Sequence, residues 1–128
     1  SMKLLRTLVV LPLAIPLQGN TQVADAGRLP VADVRVLMVA AIDSPSGSAQ
    51  GLLTGKDAES ITRHFKASSA ILIDVTTLKR YAQAGCSRLN VSFSQEGVQL
   101  PGQQGAKRHS VDFGINFCRD GQPPRSLS

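Results

Sequence analysis

The last third of the chain has the most regular alternation of hydrophobic and polar positions. Over residues 111–117 every second side chain is apolar, and residues 89–93 repeat the pattern. A period of two residues is typical of a β-strand with one buried and one solvated face. Residues 95–97 indicate a turn after the first of these strands, and Val98 and Leu100 favour a short further strand.

The first half of the predicted domain is less regular. Segment 31–42 begins with alternating valines and then becomes continuously apolar, which predicts a strand that starts half-exposed and ends buried. A helix is the alternative, because Leu37, Met38 and the neighbouring alanines permit one. Residues 43–53 are rich in Ser and Gly and predict a loop.

Two helices and one buried strand are predicted in the middle of the chain. Residues 54–67 favour a helix, because Thr54 is followed three residues later by an acid in a capping-box pattern. Residues 70–75 are rich in Ile and Val and predict a buried strand. Residues 78–84 favour a short helix that Gly85 ends.

These elements predict the order β-α-β-α-β-β-β. We therefore expect an α+β fold over residues 27–120: a single small domain with a mainly antiparallel or mixed sheet of four to five strands and one or two helices packed on one face. The first β-α-β unit fits a right-handed crossover. Residues 121–128 contain two prolines and predict a flexible C-terminal tail.

The N-terminus has the pattern of a signal peptide. Lys3 and Arg6 precede an apolar run at residues 8–17, and Ala24-Asp25-Ala26 matches the small residues that precede a cleavage site. We expect cleavage to remove residues 1–26 and to leave a periplasmic or secreted protein. The apolar run is shorter than the roughly 20 residues of a transmembrane helix. The alternative is that these residues form a strand or helix of the core.

The chain has two cysteines, Cys86 and Cys118, both within the predicted domain. An even number of cysteines in an exported protein favours a disulfide bond. Both residues also share the outward parity of their strands, so their sulfurs can meet on the face away from the core. Two free thiols, or a metal site completed by His64 and His109, are the alternatives.

The positive charge is concentrated in the second half of the chain. The formal net charge is +5, and residues 79–128 hold most of the excess of Lys and Arg over Asp and Glu. Such an asymmetry can steer an acidic partner or an anionic membrane towards this surface. The expected contact residues are Arg88, Lys107, Arg108, His109 and Arg119. The alternative is a solvated face that keeps the protein soluble. Nucleic acid is disfavoured, because residues 107–109 are the only tight basic cluster.

Motifs of catalysis are missing from the sequence. No G-x-S-x-G or C-x-x-C pattern occurs, and Gly55-Lys56 lacks both the preceding glycine and the following Ser or Thr of a phosphate-binding loop. His64 and His109 are better explained as surface residues than as catalysts. We expect no catalytic residue, no metal and no cofactor.

Four short stretches carry a family resemblance: residues 75–81 (VTTLKRY), 85–89 (GCSRL), 112–118 (DFGINFC) and 121–124 (GQPP). Together they resemble small exported accessory proteins that are encoded in conjugative type IV secretion gene clusters of proteobacteria. The resemblance implies a periplasmic accessory factor of DNA transfer that acts by binding other proteins.

These observations predict an exported, non-enzymatic protein-interaction module with a protein partner in the cell envelope. One alternative is an inhibitor or immunity-type protein that blocks a secreted enzyme with its basic loop at residues 102–109. Another alternative is a small hydrolase whose site the sequence does not reveal.

Overall fold

A computed structural model describes residues 27–128, so the predicted signal peptide lies outside the described residues. Five strands form one mixed sheet in the order β1-β2-β3-β4-β5. The elements follow the chain as β1 (Leu29–Val31), α1 (Arg35–Asp43), β2 (Ser48–Leu53), α2 (Lys56–His64), β3 (Ile71–Arg80), β4 (Cys86–Val98) and β5 (Lys107–Cys118). The parallel pair β1–β2 is joined through α1, and all other neighbours are antiparallel. The predicted α+β class with a five-stranded sheet is confirmed.

The core lies between α1 and one face of the sheet, called the core face below. Leu37, Met38 and Ala41 are the buried residues of α1. They belong to one hydrophobic cluster with alternate residues of the strands: Ile73, Val75, Leu89, Val91 and Phe117. The opposite face, called the polar face, carries side chains such as Asp74, Asn90 and Ser92. This division explains the period of two residues in β4 and β5.

The strand predicted over residues 31–42 is wrong, because most of that segment is α1. Val34, Leu37, Met38 and Ala41 are spaced three and four residues apart, so they form one face of a helix. Asp33 helps to start the helix, since its Oδ1 accepts the backbone N–H of Arg35 at 2.9 Å. The helix ends at Asp43, two residues before Pro45.

The loop predicted over residues 43–53 is also wrong in its second half, where β2 forms an interior strand. Gly51 explains the departure from a typical strand composition, because β2 lies directly beneath α1. A Cβ atom on Gly51 would lie 2.5 Å from Leu37 Cδ1 and 2.7 Å from the carbonyl oxygen of Leu29. Only glycine allows the helix and β1 to approach β2 this closely.

The short helix predicted over residues 78–84 is absent, because β3 continues to Arg80. Leu78 is an extra residue in the register between β3 and β4, so it forms a bulge, and 62% of its surface is exposed. In the predicted helix Leu78 would face the core, so that expectation is wrong as well. A tight turn at residues 81–85 follows, in which the Tyr81 N–H donates to the Cys86 carbonyl at 3.0 Å.

The helix predicted over residues 54–67 is confirmed as α2, at Lys56–His64. Its N-cap is Gly55 rather than Thr54, and no side chain caps its N-terminus. Ala58 is its one buried residue. The buried Gln95 holds α2 to the sheet, because its Nε2 donates to Thr62 Oγ1 at 3.0 Å and to the Ser69 carbonyl at 2.9 Å.

The C-terminal residues 119–128 form no helix or strand, but they lie along the β3–β4 turn. The Ala82 N–H donates to the Ser128 carbonyl at 2.9 Å, and the Arg125 N–H donates to Gln83 Oε1 at 2.8 Å. Within residues 27–128, none of the helices has the length and hydropathy needed to cross a membrane.

Candidate functional site

Cys86 and Cys118 form a disulfide bond between β4 and β5. The two residues face each other in the strand register, with their Cα atoms 4.0 Å apart. Their backbones point away from each other: the Cys118 N–H donates to the Gln122 carbonyl, and the Cys86 N–H donates to the Gln83 carbonyl. The disulfide therefore occupies a position of the ladder where the two strands exchange no hydrogen bonds.

This position fixes the direction of every backbone group in β5. Hydrogen-bonded and non-hydrogen-bonded pairs alternate along an antiparallel ladder, so odd-numbered residues of β5 bond to β4. The N–H and C=O groups of Ser110, Asp112, Gly114 and Asn116 point away from the sheet. Among the described residues, no strand pairs with this side of β5, which is the last strand of the sheet. The molecule thus presents a long, regular free edge.

A groove of about 820 Å³ opens on the core face beside this edge. Among residues 27–128, helix α1 covers only part of that face, and the groove lies between the start of α1, helix α2, the end of β4 and the start of β5. The apolar residues that line the groove are Ala32, Val34, Leu53, Ile61, Phe65, Ile71, Phe93, Val98 and Val111. Its surface is mainly apolar, although charged side chains such as Asp33, Arg35 and Asp57 also line it.

Exposed apolar side chains extend from the groove to the free edge. Val111 and Phe113, on β5, expose 51% and 40% of their surfaces. The Phe113 ring stacks on the Phe93 ring, with 6.0 Å between centroids and 19° between planes. Phe93, Val111 and Phe113 together form what we call the aromatic strip, in which Val111 lies beside the two stacked rings. Contiguous exposed apolar surfaces of this kind are common at the contact sites of small domains.

The predicted basic contact residues are divided between the two ends of β5. Lys107, Arg108 and His109 lie at its beginning, next to the groove, and His109 lines the groove. The His109 ring is 6.4 Å from the Phe65 ring. Arg108 forms an exposed ion pair of 3.4 Å with Glu96, while Lys107 forms no ion pair within residues 27–128. A positive rim thus borders one end of the groove.

Arg88 and Arg119 lie at the other end of β5, about 30–40 Å from Lys107 along the strand direction. Arg88 is on the polar face, where it donates to Asn116 Oδ1 at 3.1 Å, an oxygen that also accepts the Tyr81 hydroxyl at 2.7 Å. Arg119 pairs with Asp43 at the end of α1. The structure therefore does not bring these two arginines together with residues 107–109.

The predicted contact loop between β4 and β5 is held by two glutamines. Gln99 Nε2 donates to the Gln103 carbonyl at 2.8 Å, and Gln103 Nε2 donates to the Val98 and Gly105 carbonyls at 2.9 and 2.7 Å. These bonds give the loop a defined shape without regular secondary structure. Lys107 and Arg108 follow directly after the loop, at the start of β5. Of residues 107–109, His109 lines the groove, whereas Arg108 has the alternate parity of the strand and pairs with Glu96.

The carboxyl groups with shifted pKa values do not resemble catalytic acids. Hydrogen bonds from Arg35 lower the pKa of Asp33, which borders the groove, and hydrogen bonds from Arg119 lower the pKa of Asp43. A general acid at neutral pH needs the opposite shift. Within residues 27–128 there is also no cluster of three or more His, Cys, Asp or Glu side chains positioned to hold a metal ion.

Sequence reasoning missed the groove and the aromatic strip. Phe93, Val111 and Phe113 have the alternation of core residues, and they do point to the core face, but neither helix in the described part of the chain covers that part of the sheet. The reason is the length of α1: its nine residues span only about 14 Å, which is too short to cover five strands. The sequence did not reveal this, because the segment was predicted as a strand.

Comparisons of the chain with models of known protein families, with curated proteins and with solved structures gave no match.

Proposed function

We propose that this protein is an exported protein-interaction module that binds an apolar segment of a cell-envelope protein in the groove on its core face. The observation that carries the proposal is the open apolar groove, which continues from the half-buried Phe93 into the exposed Val111 and Phe113. Leaving these side chains in water costs free energy that a partner's apolar side chains recover on binding. A groove of this kind therefore favours binding over catalysis.

The charge around the groove indicates what flanks the bound segment. Lys107, Arg108 and His109 lie at the start of β5 beside the groove, and within residues 27–128 the one ion pair that they form is that of Arg108 with Glu96. An acidic stretch next to the apolar anchors would meet this rim and gain favourable electrostatic interactions. The partner segment therefore has two or three large apolar side chains followed by Asp or Glu residues.

Two observations support an exported location. The disulfide between Cys86 and Cys118 is typical of oxidising compartments, and the N-terminal residues have the composition of a signal peptide. The resemblance to accessory proteins of conjugative type IV secretion makes an envelope protein of that apparatus the partner class that we propose. The periplasm is then the compartment in which both proteins meet.

The compartment is tested by producing the full sequence in a Gram-negative host and measuring the intact mass of the protein in the periplasmic fraction. We expect the mass of Gly27–Ser128 less two hydrogens. An unprocessed chain in the cytoplasm, with two thiols that react with an alkylating agent, would overturn the proposed export.

The groove is tested with a fluorescent peptide that has Leu and Phe anchors followed by four Asp residues. We expect anisotropy to show saturable binding to the purified protein, and the substitution Val111→Asp to weaken it at least tenfold. The matched control is Leu78→Asp, which changes an equally exposed apolar residue far from the groove. Equal binding by both variants, or no binding by the unchanged protein, would overturn the groove as the site.

The positive rim is tested with the double substitution Lys107→Glu and Arg108→Glu. We expect this double substitution to weaken the binding of the acidic peptide. The binding of a peptide in which Ser replaces each Asp should stay unchanged. An inhibitor of a secreted enzyme would behave differently, because it would bind a folded enzyme tightly and ignore both short peptides.

A further inference from the structure

The geometry of β5 points to a second interaction, which shares Val111 and Phe113 with the surface beside the groove: we propose that two copies of this chain pair through their β5 edges. The pairing is antiparallel and joins the two sheets into one sheet of ten strands. The inference is based on the unpaired edge of β5 among the described residues and on the order of side chains along that edge.

The two edges of the sheet differ in a way that favours β5. The edge at β1 is three residues long and contains Pro30, and both features prevent further pairing of strands. The edge at β5 has a regular register from His109 to Cys118 and contains no proline. Proteins normally protect such a long, flat edge, or they use it for pairing.

A two-fold axis through Phe113 satisfies the free backbone groups of β5. In this register Asp112 faces Gly114 of the second copy, and Ser110 faces Asn116 of the second copy. All four residues direct their N–H and C=O groups outward, so each facing pair exchanges two hydrogen bonds. The Cys118 N–H already bonds to Gln122, which limits the ladder at its end.

The side chains fit the same register. On the core face, Phe113 meets its own copy on the axis, and the exposed Val111 meets Ile115 of the second copy. Aromatic and β-branched pairs at such positions stabilise antiparallel strands. On the polar face, Asp112 lies opposite a glycine rather than a second carboxylate. A register shifted by one residue, with its axis at Asp112, would bring two Asp112 carboxylates face to face and is disfavoured.

The charges at the ends of β5 limit how far the ladder extends. In the proposed register Lys107 faces Arg119 of the second copy, and Arg119 already pairs with Asp43 of its own chain at 2.8 Å. The pairing therefore covers residues 110–116, where Asp112 faces a glycine and no two like charges face each other.

Disulfide trapping tests the register. Residues that face each other at a non-hydrogen-bonded position have Cα atoms about 4.5 Å apart, within the range for a disulfide. The substitution Phe113→Cys should therefore give a disulfide-linked dimer on mild oxidation. Reductant should convert this dimer back to monomer. Asp112→Cys is the matched control, because Asp112 faces residue 114 and should crosslink much more slowly. Equal rates, or faster crosslinking at residue 112, would overturn the proposed register.

Sedimentation of the protein without added cysteines tests the association itself. We expect dimers to increase with concentration from the micromolar to the millimolar range. Asp112→Pro removes one outward N–H and should leave a folded monomer, whereas Asp112→Ala keeps that N–H and should still dimerise. A folded protein that remains monomeric over the whole range would overturn the pairing.

The groove and the edge can fail separately. Phe113→Lys places two positive charges on the axis and should abolish the dimer, while Val36→Lys changes a similarly exposed apolar residue on α1 and should not. If the monomeric Asp112→Pro variant still binds the acidic peptide, binding in the groove does not depend on pairing. If the dimer forms but no peptide binds, only the proposed function is overturned.

Discussion

Arg119 joins the end of β5 to the end of α1 through two hydrogen bonds of 2.8 Å to the Asp43 carboxylate. The Arg119 N–H also donates to the Gly85 carbonyl, in the turn between β3 and β4. Arg119, which directly follows Cys118 of the disulfide, thus links α1, the β3–β4 turn and the end of β5. Arg119 therefore has a structural role, although its charge first indicated a contact residue.

This ion pair predicts a dependence of stability on pH. The hydrogen bonds from Arg119 lower the pKa of Asp43 below its usual value of 3.8, so the folded state favours the ionised carboxylate. The contribution is present above about pH 4 and is lost as the pH falls through the lowered pKa. Asp43→Asn should lower the melting temperature at pH 7, and the difference from the unchanged protein should shrink at pH 3.

The matched control for this pH dependence is Asp112→Asn. The Asp112 side chain is exposed and forms no hydrogen bond or ion pair within the described residues. Its replacement should therefore leave the melting temperature nearly constant at both pH values, provided that the protein is dilute enough to be monomeric. A constant effect of Asp43→Asn across the pH range would contradict the ion pair as its cause.

The disulfide should contribute a large share of the stability. It closes a loop with a sequence separation of 32 residues, which on the chain-entropy model stabilises the fold by about 3–4 kcal/mol. We expect this loss of unfolding free energy, measured with urea, when both Cys86 and Cys118 are replaced by Ala. Reductant should destabilise the unchanged protein to a similar extent and leave the double variant unaffected. An effect below about 1 kcal/mol would contradict this account.

The close approach of α1 to β2 predicts a specific cost for Gly51→Ala. The added methyl group meets Leu37 and the Leu29 carbonyl, so we expect a loss of about 1–3 kcal/mol in urea unfolding. Leu37→Ala should cost less in this variant than in the unchanged protein, because it makes room for the methyl group. Additive effects of the two substitutions would show that α1 does not pack on Gly51 as described.

Much of the fold was predictable from the sequence where local pattern and burial agree. The strands β4 and β5 have one covered or apolar face and one polar face, so their alternation was informative, and the shared parity of Cys86 and Cys118 was confirmed by the disulfide. The helix over residues 54–67 was also assigned correctly. In contrast, residues 35–43 form a helix instead of a strand, residues 78–80 belong to β3, and β4 continues through the predicted turn to Val98.

The errors came from tertiary context. Interior strand β2 contains Ser48, Ala49 and Gly51 because helix α1 lies against it, and this composition resembles that of a loop. Leu78 was placed in a helix because sequence alone does not show the bulge that turns it outward. The groove could not be predicted, since it depends on how far α1 extends over the sheet.

The buried side chain of Gln95 holds α2 to the sheet, and α2 forms one wall of the groove. Gln95→Leu leaves Thr62 and the Ser69 carbonyl without their donor, at a cost of about 1–3 kcal/mol. Since Ala58 is the one buried residue of α2, we expect the helix to open locally rather than the whole domain. Hydrogen exchange should accelerate at residues 56–64 and stay slow in the paired strands β3 and β4. Peptide binding should weaken as well, because Ile61 and Phe65 line the groove.

The control is Gln99→Ala. The Gln99 side chain holds the β4–β5 loop instead of α2, so hydrogen exchange should rise in that loop and not in α2. A uniform rise across all strands in the Gln95→Leu variant would show that α2 does not open separately from the rest of the domain.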